Sequence, residues 1–181
     1  MNSIIIVTGN KRKIGEAKLA LQDFGIKLDS MQLEIDEIQS RDPVAIATRK
    51  AEDAYRVIKK PLVVTDTFWN IPALHGFPGG YMKDVSDWLS VDDFIKLMQD
   101  YDDKTISFTE SIAYIDGTQT KVFSEEYFGK IADASRGNGS SIEQLAEFDG
   151  YTIGEQNMNG RFSHGPKDYV WYKFAKWFKE Q

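Results

Sequence analysis

Ile4-Ile5-Ile6-Val7 is an unbroken run of β-branched apolar residues, the pattern of a strand covered on both faces. The run stops at Thr8-Gly9-Asn10. Beyond it Ile14, Ala17, Leu21 and Phe24 recur at helical spacing, and Gly25 supplies a helix stop. Asp42 and Pro43 suit the N-cap and first turn of a second helix, with Val44, Ala47, Ala51, Ala54 and Ile58 as its apolar face and Pro61 as its end. Leu62-Val63-Val64-Thr65-Asp66 reads as a second buried strand. The Gly- and Pro-rich stretch from Ile71 to Tyr81 predicts an ordered loop. Ser90 with Asp93 resembles a capping box opening a third helix through Met98. Segments 105–115 and 119–128 flank Asp116-Gly117, a hairpin signal. Residues 135–141 read as a turn, and Pro166 opens a last helix striped with Val170, Phe174, Trp177 and Phe178. Strand–helix units at the start and a long hairpin later predict an α/β fold with a mixed sheet. No repeat or linker interrupts residues 1–181, which read as one domain.

Composition narrows the function classes. The 181 residues contain no cysteine, which excludes disulfides and thiolate metal sites. Lys and Arg number 22 against 28 Asp and Glu, a net charge of −6. That balance argues against a nucleic-acid polymer as partner and leaves any cationic role to a local cluster. The apolar runs Ile4–Val7 and Leu62–Val64 are too short to span a bilayer. Met1 leads directly into a strand pattern with no basic leader, so a cytoplasmic protein without membrane contact is expected.

Candidate chemistry collects at three places. Thr8-Gly9-Asn10-Lys11-Arg12-Lys13 lies between a buried strand and a helix start, where backbone N–H groups favour an anion and Lys13 faces it from one turn in. The spacing is not that of a P-loop, because Gly15 precedes Glu16 rather than Lys. The alternative is a solvated basic helix start, although three cations there oppose the helix dipole. Asp66 closes a buried strand, where ligands of open α/β sheets collect, or else begins a simple Asx-turn. Glu37, in the acidic run Glu34-Ile35-Asp36-Glu37, is either a surface acid or, with Asp66, a pair of hard oxygen donors for Mg²⁺ carrying a polyphosphate. Lys50 on the second helix and Lys83 after Pro78-Gly79-Gly80 are further phosphate candidates. His164 either reads a base edge or caps the last helix. His75 reads as structural, and Trp171, Trp177 and Phe178 as core.

In this order and spacing the motifs resemble the inosine triphosphate pyrophosphatase (Ham1-like) family. Thr8 to Lys13 matches its opening Ser/Thr-x-Asn-x-x-Lys motif. Glu37-Ile38-Gln39, followed by Lys50, resembles its acidic segment and helix lysine. Thr65-Asp66-Thr67 and Ala73 to Lys83 look like its central signature, with Phe128-Gly129-Lys130-Ile131 and Ser163-His164 as later counterparts. The resemblance implies a two-lobed fold, a twisted mixed sheet flanked by helices with a central cleft. It also implies Mg²⁺-dependent hydrolysis of a nucleoside triphosphate to monophosphate and pyrophosphate, a preference for deaminated purines, and a homodimer. Carried over by position, Asn10, Lys13, Lys50 and Lys83 hold the triphosphate, with Thr8, Thr67, Ser163 and His164 completing the substrate contacts. Glu37 and Asp66 bind the metal, and Asp66 and Lys13 are the catalytic pair. Three features depart from the pattern. Thr65 stands where the first of two paired acids is expected; Ser140-Ser141 follows the Gly137-Asn138-Gly139 turn in place of an aromatic-Asp-Pro motif; Asn159 and Gly165 replace a Lys and an Arg. These losses fall mainly on base recognition, so an altered base preference is expected, including a pyrimidine or modified nucleotide. The rival they motivate is a catalytically weak nucleotide-binding or sensor protein.

Overall fold

Strand β1 (Ser3–Val7) alternates its side chains between two separate apolar layers. Ile4 and Ile6 pack with Ala17 and Leu21 of α1 (Lys11–Gln22) and with Trp171 and Phe174 of α7 (Val170–Lys179). Val7 packs on the other side with Ala47, Ala51 and Ala54 of α2 (Pro43–Ile58). Both faces are covered, which explains a run without polar positions. Each large aliphatic side chain buried in this way contributes about 1.5–3 kcal/mol. In this computed structural model residues 3–160 and 170–181 are described, so the expected helix start at Pro166 lies outside the described residues.

The described chain divides into two compact units, one comprising residues 3–67, 110–125 and 170–181, the other 68–109 and 126–160. In the first, β1 pairs in parallel with β2 (Lys27–Met31) and with β3 (Leu62–Ile71), Val7 standing opposite Val64. β5 (Thr105–Ile115) adds Ile112 and Tyr114 to the layer of α1 and α7, and Ala113 and Ile115 to the layer of α2. β2 escapes the apolar pattern because four of its five side chains are exposed on an edge strand. On α2 the buried stripe takes in Ile46, while Val44 in the first turn is 41% exposed, a correction to the expected face. The hairpin of β5 and β6 (Thr120–Ile131) turns at Asp116-Gly117 as expected; Asp116 Oδ1 accepts from the backbone N–H groups of Thr118 and Gln119.

The second unit holds the stretch expected to be loop between Ile71 and Tyr81. It is structured instead. β3 runs five residues past Asp66 because Trp69–Ile71 pair antiparallel with β4 (Phe77–Gly79), after a 3-10 turn at Pro72–Leu74. α3 (Met82–Trp88) follows directly. α4 (Val91–Met98) starts at the capping box of Ser90 and Asp93. α5 (Ser141–Leu145) and α6 (Ile153–Asn159) carry two more, Ser140 with Glu143 and Thr152 with Glu155. β7 (Ala146–Phe148) pairs antiparallel with β6 and with β8 (Tyr151–Thr152). Trp69, Ile71, Phe94, Ile106, Leu145 and Phe148 form the core. The 135–141 turn requires glycine: Gly137 has φ +73°, and a Cβ there would collide with the backbone of Gly154.

The strands join in one mixed sheet, in the order β2-β1-β3-β5-β6-β7-β8 with β4 on β3, and helices flank it. No helix among the described residues is long and apolar enough to cross a membrane.

Candidate active site

The turn after β1 is shaped by its own side chains. Thr8 N–H donates to the Met31 carbonyl at 2.9 Å, and Asn10 N–H donates to Thr8 Oγ1 at 3.1 Å. Asn10 Oδ1 then caps α1, accepting from the N–H groups of Arg12 (2.9 Å) and Lys13 (3.3 Å). Lys13 is half-buried on the first turn of that helix. Burial pushes its pKa down, Glu110 and Asp66 push it back up, and Lys50 and Arg12 add to the lowering.

Asp66 lies two residues beyond Val64, the last β3 residue paired with β1. It therefore sits past the carboxyl end of β1 although β3 continues, which corrects the expectation that its own strand ends there while keeping it in the position where ligands collect. It is 7% exposed. Lys50 reaches it from α2, with Nζ at 3.3 Å from Asp66 Oδ1, and the same ammonium also donates to Glu37 Oε1. Burial lifts the Asp66 pKa above the usual carboxylate range; Lys50 and Lys13 oppose that rise and Glu37 adds to it. Burial also disfavours the Lys50 charge, but Asp66 and Glu37 outweigh it and hold the Lys50 pKa above its ordinary value. The separate segments carrying residues 37, 50 and 66 are thus drawn to one point.

That ammonium shows that the two carboxylates can share a cation. Both donors are hard oxygens, which fits Mg²⁺. No group of three or more His, Cys, Asp or Glu side chains suited to a metal gathers among the described residues. The set therefore suits an ion that keeps waters and takes its other oxygens from a phosphate. A hollow of about 390 Å³ borders Glu37 on the side of Glu34, Asp36 and Asp53. Its acidic lining is of the wrong sign for a polyphosphate.

Other expected residues stand apart or fall outside. Thr67 is half-buried on β3. Lys83 is exposed on α3 and belongs to the second unit. His75 takes a left-handed turn conformation after Leu74. Ser163 and His164 lie outside the described residues. Sequence reasoning missed Glu110, a 6%-exposed carboxyl on β5 whose pKa is pushed up to about 7 by burial and by Glu16, against the pull of Lys13 and Arg12. A signal was present: alternation along β5 sets it on the face of Ile112 and Tyr114, an apolar layer where an acid is anomalous.

Residues 4–148 match the model of the Ham1 family. The chain is 32% identical to the dITP/XTP pyrophosphatase of Methanosarcina acetivorans over 98% of each protein. It is 33% identical to the inosine triphosphate pyrophosphatase of Yarrowia lipolytica over 83% of this chain and 80% of that one. In three dimensions it resembles the HAM1 protein of Coxiella burnetii, with a TM-score of 0.80 at 20% identity over the whole of both chains. The Staphylococcus aureus Ham1 protein gives a TM-score of 0.77 over 99% of each chain. The capped basic turn, the helix lysine and the acids it joins thus occur in a chain that matches in sequence along most of its length and in fold throughout: it belongs to the Ham1 family.

Proposed function

We propose that this protein hydrolyses a nucleoside triphosphate to the monophosphate and pyrophosphate, with deaminated purine nucleotides such as dITP and XTP as substrates. The observation that supports this most directly is the convergence of Glu37 and Asp66 on the Lys50 ammonium, 3.3 Å from Asp66. In this reading the capped start of α1 and the lysines at 13 and 50 grip the triphosphate, and Lys83, Thr8, Thr67, Ser163 and His164 complete the substrate contacts. Glu37 and Asp66 would hold Mg²⁺, which neutralises phosphate charge and acidifies bound water. Asp66 takes the proton of the water that attacks the α-phosphorus, and the bond to the pyrophosphate oxygen breaks. Burial raises the Asp66 pKa, which strengthens the carboxylate as a proton acceptor. Lys13 stabilises charge on the phosphate oxygens. A cytoplasmic homodimer completes the reading, by resemblance to the family.

The test is pyrophosphate release with Mg²⁺ across dITP, ITP, XTP and the four common triphosphates. Release is expected to be fastest with the deaminated purines. No release from any of them refutes the proposal. Release only from a pyrimidine would keep the chemistry and overturn the base assignment, for which Ser140 and Ser141 give the structural motive.

A further inference from the structure

In the second unit one face of the sheet is covered by helices. Trp69 and Ile71 of β3, Ile106 of β5, and Tyr127 and Ile131 of β6 pack there with Met82 of α3, Phe94 of α4 and Leu145 of α5. Strand alternation turns Asn70, Ser107, Glu126 and Phe128 to the opposite face. The helices of this unit put their buried apolar side chains into the first layer, so that second face has a different use. Phe128 stands on it 67% exposed.

Beside Phe128 three polar residues on the neighbouring strands β3, β5 and β6 are tied into one chain. The Ser107 hydroxyl, 1% exposed, donates to Glu126 Oε1 at 2.7 Å. Its hydrogen is thereby used, so toward residue 70 it is an acceptor, and Asn70 Nδ2 donates to it at 3.3 Å. This fixes the Asn70 amide with its nitrogen toward Ser107, and the second Nδ2 hydrogen has no acceptor among the described residues. Glu126 forms no ion pair among the described residues. Lys130, two positions along the same face of β6, is held by Glu147 at 3.1 Å, and Glu147 also pairs with Arg136. Glu126 Oε2 therefore remains an open acceptor. An oriented acceptor, an oriented donor and an exposed ring are what reads a nucleobase, through its hydrogen-bonding edge and its flat side.

We propose that this face reads the base of the nucleotide: Glu126 accepts the ring N–H of a lactam edge, Asn70 donates to the adjoining carbonyl, and Phe128 stacks on the ring. The proposal rests on the pyrophosphatase reading and deepens it, by naming the edge through which the substrate is chosen. Hypoxanthine and xanthine present an N–H beside a C=O. Adenine presents the reverse, a ring nitrogen lone pair against the carboxylate and an amino group against the Asn70 amide. Both contacts then fail together, and sites that hydrogen-bond a polar edge reject an analogue lacking it strongly. Guanine shares the lactam edge, so the pair separates oxo from amino purines and does no more. These residues take up a role that the substitutions at Ser140 and Asn159 leave open.

The test uses the full-length protein and its Glu126→Gln, Glu126→Ala and Phe128→Ser variants. Both positions are exposed, so the variants should fold, as a thermal scan checks. Calorimetry with IMP and AMP in the presence of Mg²⁺ reads the base edge apart from turnover, because neither ligand carries a pyrophosphate bond. The wild type should bind IMP about tenfold or more tighter than AMP, the scale for a hydrogen bond to a charged group. Either Glu126 substitution should remove most of that preference, and Phe128→Ser should weaken IMP about fivefold or more, the scale for one base–aromatic stack. The preference for dITP over dATP in kcat/KM should fall in parallel, through KM rather than kcat. A wild type that binds IMP and AMP alike, a preference that survives both Glu126 substitutions, or an equal weakening of IMP and AMP by them overturns the proposal. If the preference is present and Glu126-dependent but no triphosphate is turned over, the base-reading face stands and the pyrophosphatase reading falls. Turnover of dITP with unchanged selectivity in the Glu126 variants does the reverse.

Discussion

Removing the charge of Glu110 should stabilise the protein in alkaline solution and do nothing in acid. Its pKa rises from 4.5 in an exposed setting to about 7 in the fold. The unfolded chain therefore releases this proton at lower pH than the native one, and native stability falls as pH rises between those values. Each unit corresponds to 1.36 kcal/mol, so the loss is about 3 kcal/mol, complete above pH 7 and absent below about pH 4. That figure already includes the attraction of Lys13, which is among the influences on the shift. With Gln at 110 the slope disappears, because the residue stays neutral in both states. For a chain of this size about 3 kcal/mol corresponds to a gain in Tm of roughly 6–12 °C. Urea unfolding of both proteins at pH 4 and pH 8, with thermal scans at the same two values, measures the difference. Equal stabilities at pH 8, or a Gln variant weakened at both values, would show that Glu110 is not a costly buried acid.

Asp66→Asn should lower kcat by at least about 10², the scale for a lost general base. Because burial raises the Asp66 pKa, its ionised form is disfavoured by the fold above the usual carboxylate range; the Asn variant should keep or gain thermal stability at pH 8, read in the same scan. Lys50→Met removes the counter-charge from a nearly buried carboxylate and should cost about 1–3 kcal/mol in urea unfolding at pH 7. That cost should shrink in acid as Asp66 takes up a proton. Asn10→Ala deletes the acceptor for two N–H groups at the start of α1 and should cost about 1 kcal/mol, with a weaker affinity for inorganic pyrophosphate in calorimetry.

Much of the fold is legible in local signals. β1, the capping box at Ser90 and the Asp116-Gly117 turn each rest on a few neighbouring residues, and each forms where expected. The failures have physical causes. β2 is a polar edge strand held by backbone bonds to β1, and an alternation pattern has nothing to register there. Pro72, Pro78 and three glycines concealed a hairpin arm because those residues mark turns in general. The boxes at Ser140 and Thr152 were readable as Ser/Thr-x-x-Glu, but the short helices they open carry little periodicity. At the site, the convergence of residues 37, 50 and 66 followed from motif order. Glu110 did not, since the charges that act on it at Lys13 and Glu16 are 97 and 94 positions away along the chain.

The division of the chain into two units falls in an unusual place: the described switches, at 67/68, 109/110 and 125/126, lie inside β3, β5 and β6. No surface linker joins the halves at these points, so a protease has nothing there to cut and a gene truncation yields neither half intact. Recombination cannot exchange one half as a cassette either, because each is stitched from separated stretches of the gene.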